Sequence, residues 1–282
     1  MKAAGWYGIL FGLLAAVSSL PAEAAPKRIV SMGLCTDQLV MLLADPDTIL
    51  SVHWVTQEPE DSAMWQQAAR YTPNHGLAEE VLRLRPDMVF ADGTNSPLAV
   101  DMLRKQGIRV VSVPNADTFG GARRNIREIA AALGETARGE ALVASFDAEL
   151  AKSRGALADL HYRSLVYGAN GFSAGIPSLF NDVLTHVGLI NIAGKPGLSG
   201  WVSMTVEDVL RAEPQLLILG EYRMGAPSMA NLVLEHPALG SIRRDRPVVS
   251  VPTSLWNCGT PYLAQAALIL RDQVRRSAAS LQ

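Results

Sequence analysis

Two stretches of this chain follow the same local script, and that repetition constrains the fold more than any other feature. Glu79-Glu80-Val81-Leu82-Arg83-Leu84-Arg85-Pro86-Asp87 runs into Met88-Val89-Phe90, and Glu207-Asp208-Val209-Leu210-Arg211-Ala212-Glu213-Pro214-Gln215 runs into Leu216-Leu217-Ile218. Each reads as a short helix with acids in its first turn, where they complement the helix dipole. A proline then stops the helix, and an apolar run too short for another helix follows as a buried strand. A second echo is identical in both places, Val110-Val111-Ser112-Val113-Pro114 and Val248-Val249-Ser250-Val251-Pro252. A third aligns the opening strands, Arg28-Ile29-Val30-Ser31-Met32 and Ser164-Leu165-Val166-Tyr167. Three echoes in one order mean two copies of one α/β unit.

Between the copies, Ala137, Ala141, Leu142, Phe146, Leu150 and Leu157 recur at helical spacing among charged residues. The predicted organisation is an N-terminal lobe over 25–134, a connecting helix over 135–160 and a C-terminal lobe over 161–282. Strands alternating with helices predict an α/β fold of two similar lobes, each a mostly parallel sheet flanked by helices. One long rigid helix joins them, and a ligand cleft lies between.

The first 24 residues read differently. Lys2, the apolar run Ile9 to Val17 and the small-residue site Ala22-Glu23-Ala24 form a cleavable secretory signal, with the mature chain beginning at Ala25. The first cysteine is Cys35, inside the first lobe, so no lipid attachment is expected at the signal's end. Past this segment no apolar run is long enough to span a membrane. With 25 Lys+Arg against 27 Asp+Glu and a net charge of −2, the chain lacks the basic excess of a nucleic-acid binder. At 49% hydrophobic it is too apolar to be disordered.

In parallel sheets, ligands sit beyond the carboxyl ends of the strands. The loops expected there are Gly33–Asp37, His53–Trp54 and Asp92–Ser96 in the first lobe. In the second they are Asn170–Ser173, Glu221–Met224 and Ser254–Cys258. Trp54, Phe172, Tyr222 and Trp256 offer flat apolar area for a large planar or chelated ligand. Thr36, Asp37, Asn95, Ser173 and Arg223 offer orienting hydrogen bonds. Cys35 and Cys258 follow the first strand of one lobe and the last of the other, so both face the same cleft. A disulfide between them would clamp the lobes and obstruct the ligand, so two reduced thiols are expected.

A secreted, duplicated chain of this pattern resembles the periplasmic substrate-binding proteins that serve ABC importers for ferric siderophores, haem and cobalamin. The resemblance runs from about Lys27 to about Ala267 and rests on Lys27-Arg28-Ile29-Val30-Ser31, on Glu79 to Phe90, and on Trp256 after the last strand. It implies a monomer in the periplasm that carries a chelated metal or corrinoid to a permease dimer in the inner membrane. No catalytic residue, cofactor or metal site of the protein's own is implied. In such proteins one Glu on each lobe docks against permease arginines, and Glu79 and Glu207 hold those positions. Thr205 also stands where an N-cap would, so capping explains part of the acidic pattern. The predicted cleft loops carry few Arg, which favours a neutral or weakly charged ligand, a hydroxamate chelate or a corrinoid, over a catecholate. Haem would use an axial Tyr or His, for which Tyr222 and His53 stand.

Two other chemistries compete. Gly171-Phe172-Ser173-Ala174-Gly175 fits the nucleophile-elbow pattern of serine hydrolases, with Asp182, Asp208, Asp245 and His236 downstream. No HGGG-type oxyanion loop accompanies it. Cys35, Cys258 and His53 would make a metal-ion carrier, although the five histidines show no paired spacing.

Overall fold

The computed structural model describes residues 26–193, 200–220 and 229–280. The signal read over 1–24 and the candidates Tyr222 and Arg223 lie outside those residues.

Strands and helices alternate in the first half as β1 (Ile29–Ser31), α1 (Leu34–Leu43), β2 (Ile49–His53), α2 (Trp65–Ala68), β3 (Thr72–Asn74) and α3 (Ala78–Arg83). Then come β4 (Met88–Ala91), α4 (Pro97–Lys105), β5 (Arg109–Ser112) and α5 (Phe119–Leu133), followed by α6 (Thr136–Ala151). The second half runs β6 (Arg163–Gly168), β7 (Phe172–Ala174), α7 (Leu179–Val187), β8 (Ile190–Asn191), β9 (Trp201–Ser203) and α8 (Val206–Ala212). It closes with β10 (Leu216–Gly220), α9 (Gly240–Asp245), β11 (Val248–Ser250) and α10 (Tyr262–Ser280).

The first sheet has the order β3-β2-β1-β4-β5 and the second β11-β10-β6-β8, every pairing parallel. Strands β6, β8, β10 and β11 thus hold the places of β1, β2, β4 and β5. Helices cover both faces, so the central strands are unbroken apolar runs: all four residues of β4 are buried, as are Leu216 to Leu219 in β10. The antiparallel β7–β9 pair is an addition peculiar to the second half.

The duplication extends to single hydrogen bonds. Arg28 Nη2 donates to the Leu84 carbonyl at 2.5 Å, and Arg163 Nη2 donates to the Ala212 carbonyl at 3.0 Å. Arg28 immediately precedes β1 and Arg163 opens β6, and each satisfies a carbonyl left open at the end of α3 or α8. Arg85 and Glu213 both turn left-handed, with φ of 47° and 45°, immediately before Pro86 and Pro214. That conformation is costly for a residue with a Cβ, and the arginine bonds around the turn offset the cost.

Helix α6 carries the chain between lobes. It ends at Ala151, short of the 135–160 span read from apolar spacing, and Ala158–Leu160 is a 3₁₀ turn. Phe146 and Leu150 at its end join the core of the second lobe, while Val143 joins that of the first. Helix α5 divides the same way: Phe119 and Ala122 pack into the second lobe, Ile126, Ile129 and Leu133 into the first. The Phe119 N–H donates to Asp182 Oδ2 across the junction at 2.8 Å. Asn257 Nδ2 donates to the Asp61 carbonyl at 2.8 Å. Gly259 lies so close to Ala116 and Ala122 that any Cβ there would collide with Ala116.

Candidate ligand cleft

Between the lobes lies an open cavity of about 350 Å³, within the range of small-molecule sites. Equivalent elements of the two copies build it. The first turn of α1 supplies Leu34 and Cys35, and the first turn of α7 supplies Leu179 and Phe180 behind Ser178. The loop after β5 supplies Asn115 to Asp117, and the loop after β11 supplies Trp256, Asn257 and Gly259. Asp92 and Thr94, beyond the carboxyl end of β4, complete the rim.

Cys35 and Cys258 are disulfide-bonded, with 5.2 Å between their Cα atoms. The expectation of two reduced thiols is therefore corrected. The interlobe contacts at Gly259 and Asn257 already bring the two loops together, so the bond seals the cleft's back wall, where Cys35 still lines the cavity. The metal-carrier reading loses its donors, because bonded sulfurs are not thiolates. Among the described residues no group of three or more His, Cys, Asp or Glu is placed to hold a metal ion.

Several other expectations meet the interior. Trp256 is fully buried and packs on Phe180 at 4.6 Å between ring centroids; it supports the cavity floor rather than presenting an open face. Thr36 and Asp37 have no exposed surface. Asp37 Oδ2 accepts from the His53 N–H at 2.6 Å and the Thr56 hydroxyl at 2.5 Å, tying α1 to the end of β2. Burial pushes the Asp37 carboxyl from its ordinary 3.8 up to about 7, against the pull of those hydrogen bonds. Ser173 is also buried, and its hydroxyl donates to the Val166 carbonyl at 2.5 Å. It has neither the exposure nor the base that a nucleophile requires.

Other candidates stand where the strands end. Asn95 accepts from the Asp92 N–H and donates to the Met32 carbonyl, fixing the loop that carries Asp92 and Thr94. Beside it, Trp54 is exposed between His53 and His75, with ring centroids 6.1 and 6.2 Å away. Burial lowers the His53 pKa, and its Nδ1 is enclosed without a hydrogen-bond partner. Phe172 is exposed at the start of β7. Loop inspection from sequence missed Asn115 to Asp117 and Ser178 to Phe180. The repeat carries a signal for the former: the segment after Pro114 matches the segment after Pro252, which leads to Trp256 and Cys258.

Glu79 and Glu207 are exposed in the first turns of α3 and α8, which both begin on the carboxyl-end side of their sheets. The next acid, in each case, bonds back to the chain. Glu80 accepts from the His75 N–H at 2.7 Å, and Asp208 from the Thr205 N–H at 3.1 Å in a capping box.

Fold and cleft together define a two-lobed binding protein. The chain belongs to the periplasmic binding protein family, which it matches over residues 29–243. It is 24% identical over 203 residues to an uncharacterized ABC transporter substrate-binding lipoprotein of Bacillus subtilis, the match covering 68% of this chain and 63% of that one. It is 23% identical over 207 residues to a cobalamin-binding protein of Halobacterium salinarum, covering 72% of this chain and 56% of that one. The chain thus spans less than two thirds of these curated relatives. Among solved structures it resembles the apo form of the periplasmic heme-binding protein RhuT from Roseiflexus sp. RS-1. There the TM-score is 0.70 at 21% identity, covering 89% of this chain and 99% of that one. No helix among the described residues is long and apolar enough to cross a membrane.

Proposed function

We propose that this protein is the substrate-binding component of an ABC importer, working outside the cytoplasmic membrane after cleavage of its signal without lipid attachment. It captures a metal chelate, a corrinoid or a ferric siderophore, in the interlobe cleft and delivers it to the permease. The observation that carries this reading is the cleft itself, built from equivalent first turns and strand-end loops of two copies of one unit. Capture needs no chemistry from the protein, only a preformed polar-rimmed cavity between lobes held at fixed spacing. The disulfide and the α5–α6 bridge supply that spacing.

In this reading Glu79 and Glu207 are the docking groups. Both are exposed in the first turns of α3 and α8, at matching places on the lobes, and hydrogen bonds from its own N–H and from Thr205 hold the Glu207 carboxyl below its ordinary pKa at the helix start. Trp54, His53 and Phe172 are not among the residues lining the cavity, and in this reading the exposed rings of Trp54 and Phe172 are further contact area for a ligand that extends beyond it. Saturable one-to-one binding of such a chelate by the purified mature protein tests the reading.

A further inference from the structure

We propose that the cleft selects a bulky metal complex of net positive charge and disfavours anionic chelates; this rests on the chelate-capture reading above.

In an α/β cleft the ordinary place for an anion is the start of a helix, where N–H groups and the dipole favour negative charge. Here the protein's own acceptors take N–H groups at two such helix starts, and a carboxylate lies over the third. At α1 the Gly33 cap has no side chain, and the Asp92 carboxylate lies against it so closely that a Cβ on Gly33 would overlap the carboxylate. At α7, Ser178 Oγ accepts from the Asn181 N–H at 3.1 Å. At α5, Thr118 Oγ1 accepts from the Gly121 N–H at 3.0 Å, and Asp182 takes the Phe119 N–H.

The lining adds no positive charge to reverse this. Asp92 and Asp117 are the charged groups among the described cavity residues, and no Lys, Arg or His stands with them. Thr94 holds Asp92 in place, its N–H and hydroxyl both donating to Oδ1, at 2.9 and 2.5 Å. Asp117 is exposed in its loop, so its charge is free to meet a ligand at the mouth.

Matched pairs that differ in charge on one scaffold test this. Ferrioxamine B carries a free ammonium, and its N-succinyl derivative carries a carboxylate there instead. Aquacobalamin and its monocarboxylic acid, in which one peripheral amide is hydrolysed, make the corrinoid pair. Equilibrium binding is measured for both pairs on the intact mature protein, at low and high salt, with Asp117→Asn and Asp117→Lys as variants. The more positive member of the pair that binds is expected to bind at least about tenfold tighter. That preference shrinks with added salt and in Asp117→Asn, and disappears in Asp117→Lys. Equal or tighter binding of the carboxylate member by the wild type overturns the charge selection while leaving chelate capture standing. Binding of neither pair overturns the capture reading itself. Asp117 lies on an exposed loop and supports no core packing, and melting curves for both variants verify that they remain folded.

Discussion

Cys35 and Cys258, 223 residues apart in the chain, are bonded to each other across the interlobe cleft. The bond closes nearly the whole folded chain into one covalent loop. Its contribution comes largely from the unfolded state, whose freedom it restricts more as the loop lengthens. Cys35→Ser with Cys258→Ser is expected to lower unfolding free energy by about 3–5 kcal/mol in denaturant titration. Thiol titration of the denatured, unreduced protein should find none; a reading of two would remove the clamp from this account.

Asp37 carries a pH dependence with a definite sign. Its carboxyl titrates near 7 in the folded protein and at its ordinary 3.8 when exposed, so the folded state holds the proton more tightly. Stability linked to this group is fully present below the ordinary value and is lost as pH rises through about 7. Asp37→Asn keeps an oxygen for the His53 and Thr56 donors and removes the buried charge. The variant should match or trail wild type at pH 4 and exceed it at pH 8 by on the order of 3 kcal/mol. Paired unfolding curves at the two pH values measure that crossing, and parallel curves would contradict it.

Trp256 distinguishes a supporting residue from a contact residue. Its ring is buried against Phe180, so Trp256→Ala opens a void in the second lobe's core and should cost about 3–5 kcal/mol of stability. Thermal melts report that loss. A variant that melts like wild type but has lost its ligand would return Trp256 to the open wall expected from sequence.

The lobes were legible because the repeat was. The helix-Pro-strand echo ending in Phe90 and Ile218 located the central strands, and the matching Val-Val-Ser-Val-Pro runs located β5 and β11. Side-chain direction was not legible, since a residue after a strand can turn inward as easily as outward. Thr36, Asp37 and Ser173 all follow or join strand ends, and all turn inward to satisfy backbone or hydroxyl groups. The disulfide depends on how closely two loops approach from opposite lobes. Ala116 and Gly259 set that distance, and their packing leaves no periodic trace in the chain.

Docking and capture should separate by mutation. Glu79→Ala with Glu207→Ala removes two exposed side chains outside the cavity lining, so ligand affinity should stay at its wild-type value and melting curves verify that the variant remains folded. Uptake of the chelate into cells that depend on this protein should fall to background. Undiminished uptake would take the docking role from both residues.

If the interlobe cavity holds a metal chelate, filling the cavity must abolish binding. The most direct test is a tryptophan-fluorescence titration of the mature protein with cobalamin, a ferric hydroxamate, a ferric catecholate and haemin, repeated on Asn115→Trp, which fills the cavity from an exposed lining position. Saturable one-to-one binding of a corrinoid or hydroxamate at submicromolar concentration, abolished by Asn115→Trp, is the expected result. No binding by any of the four, or binding that Asn115→Trp leaves unchanged, would contradict it.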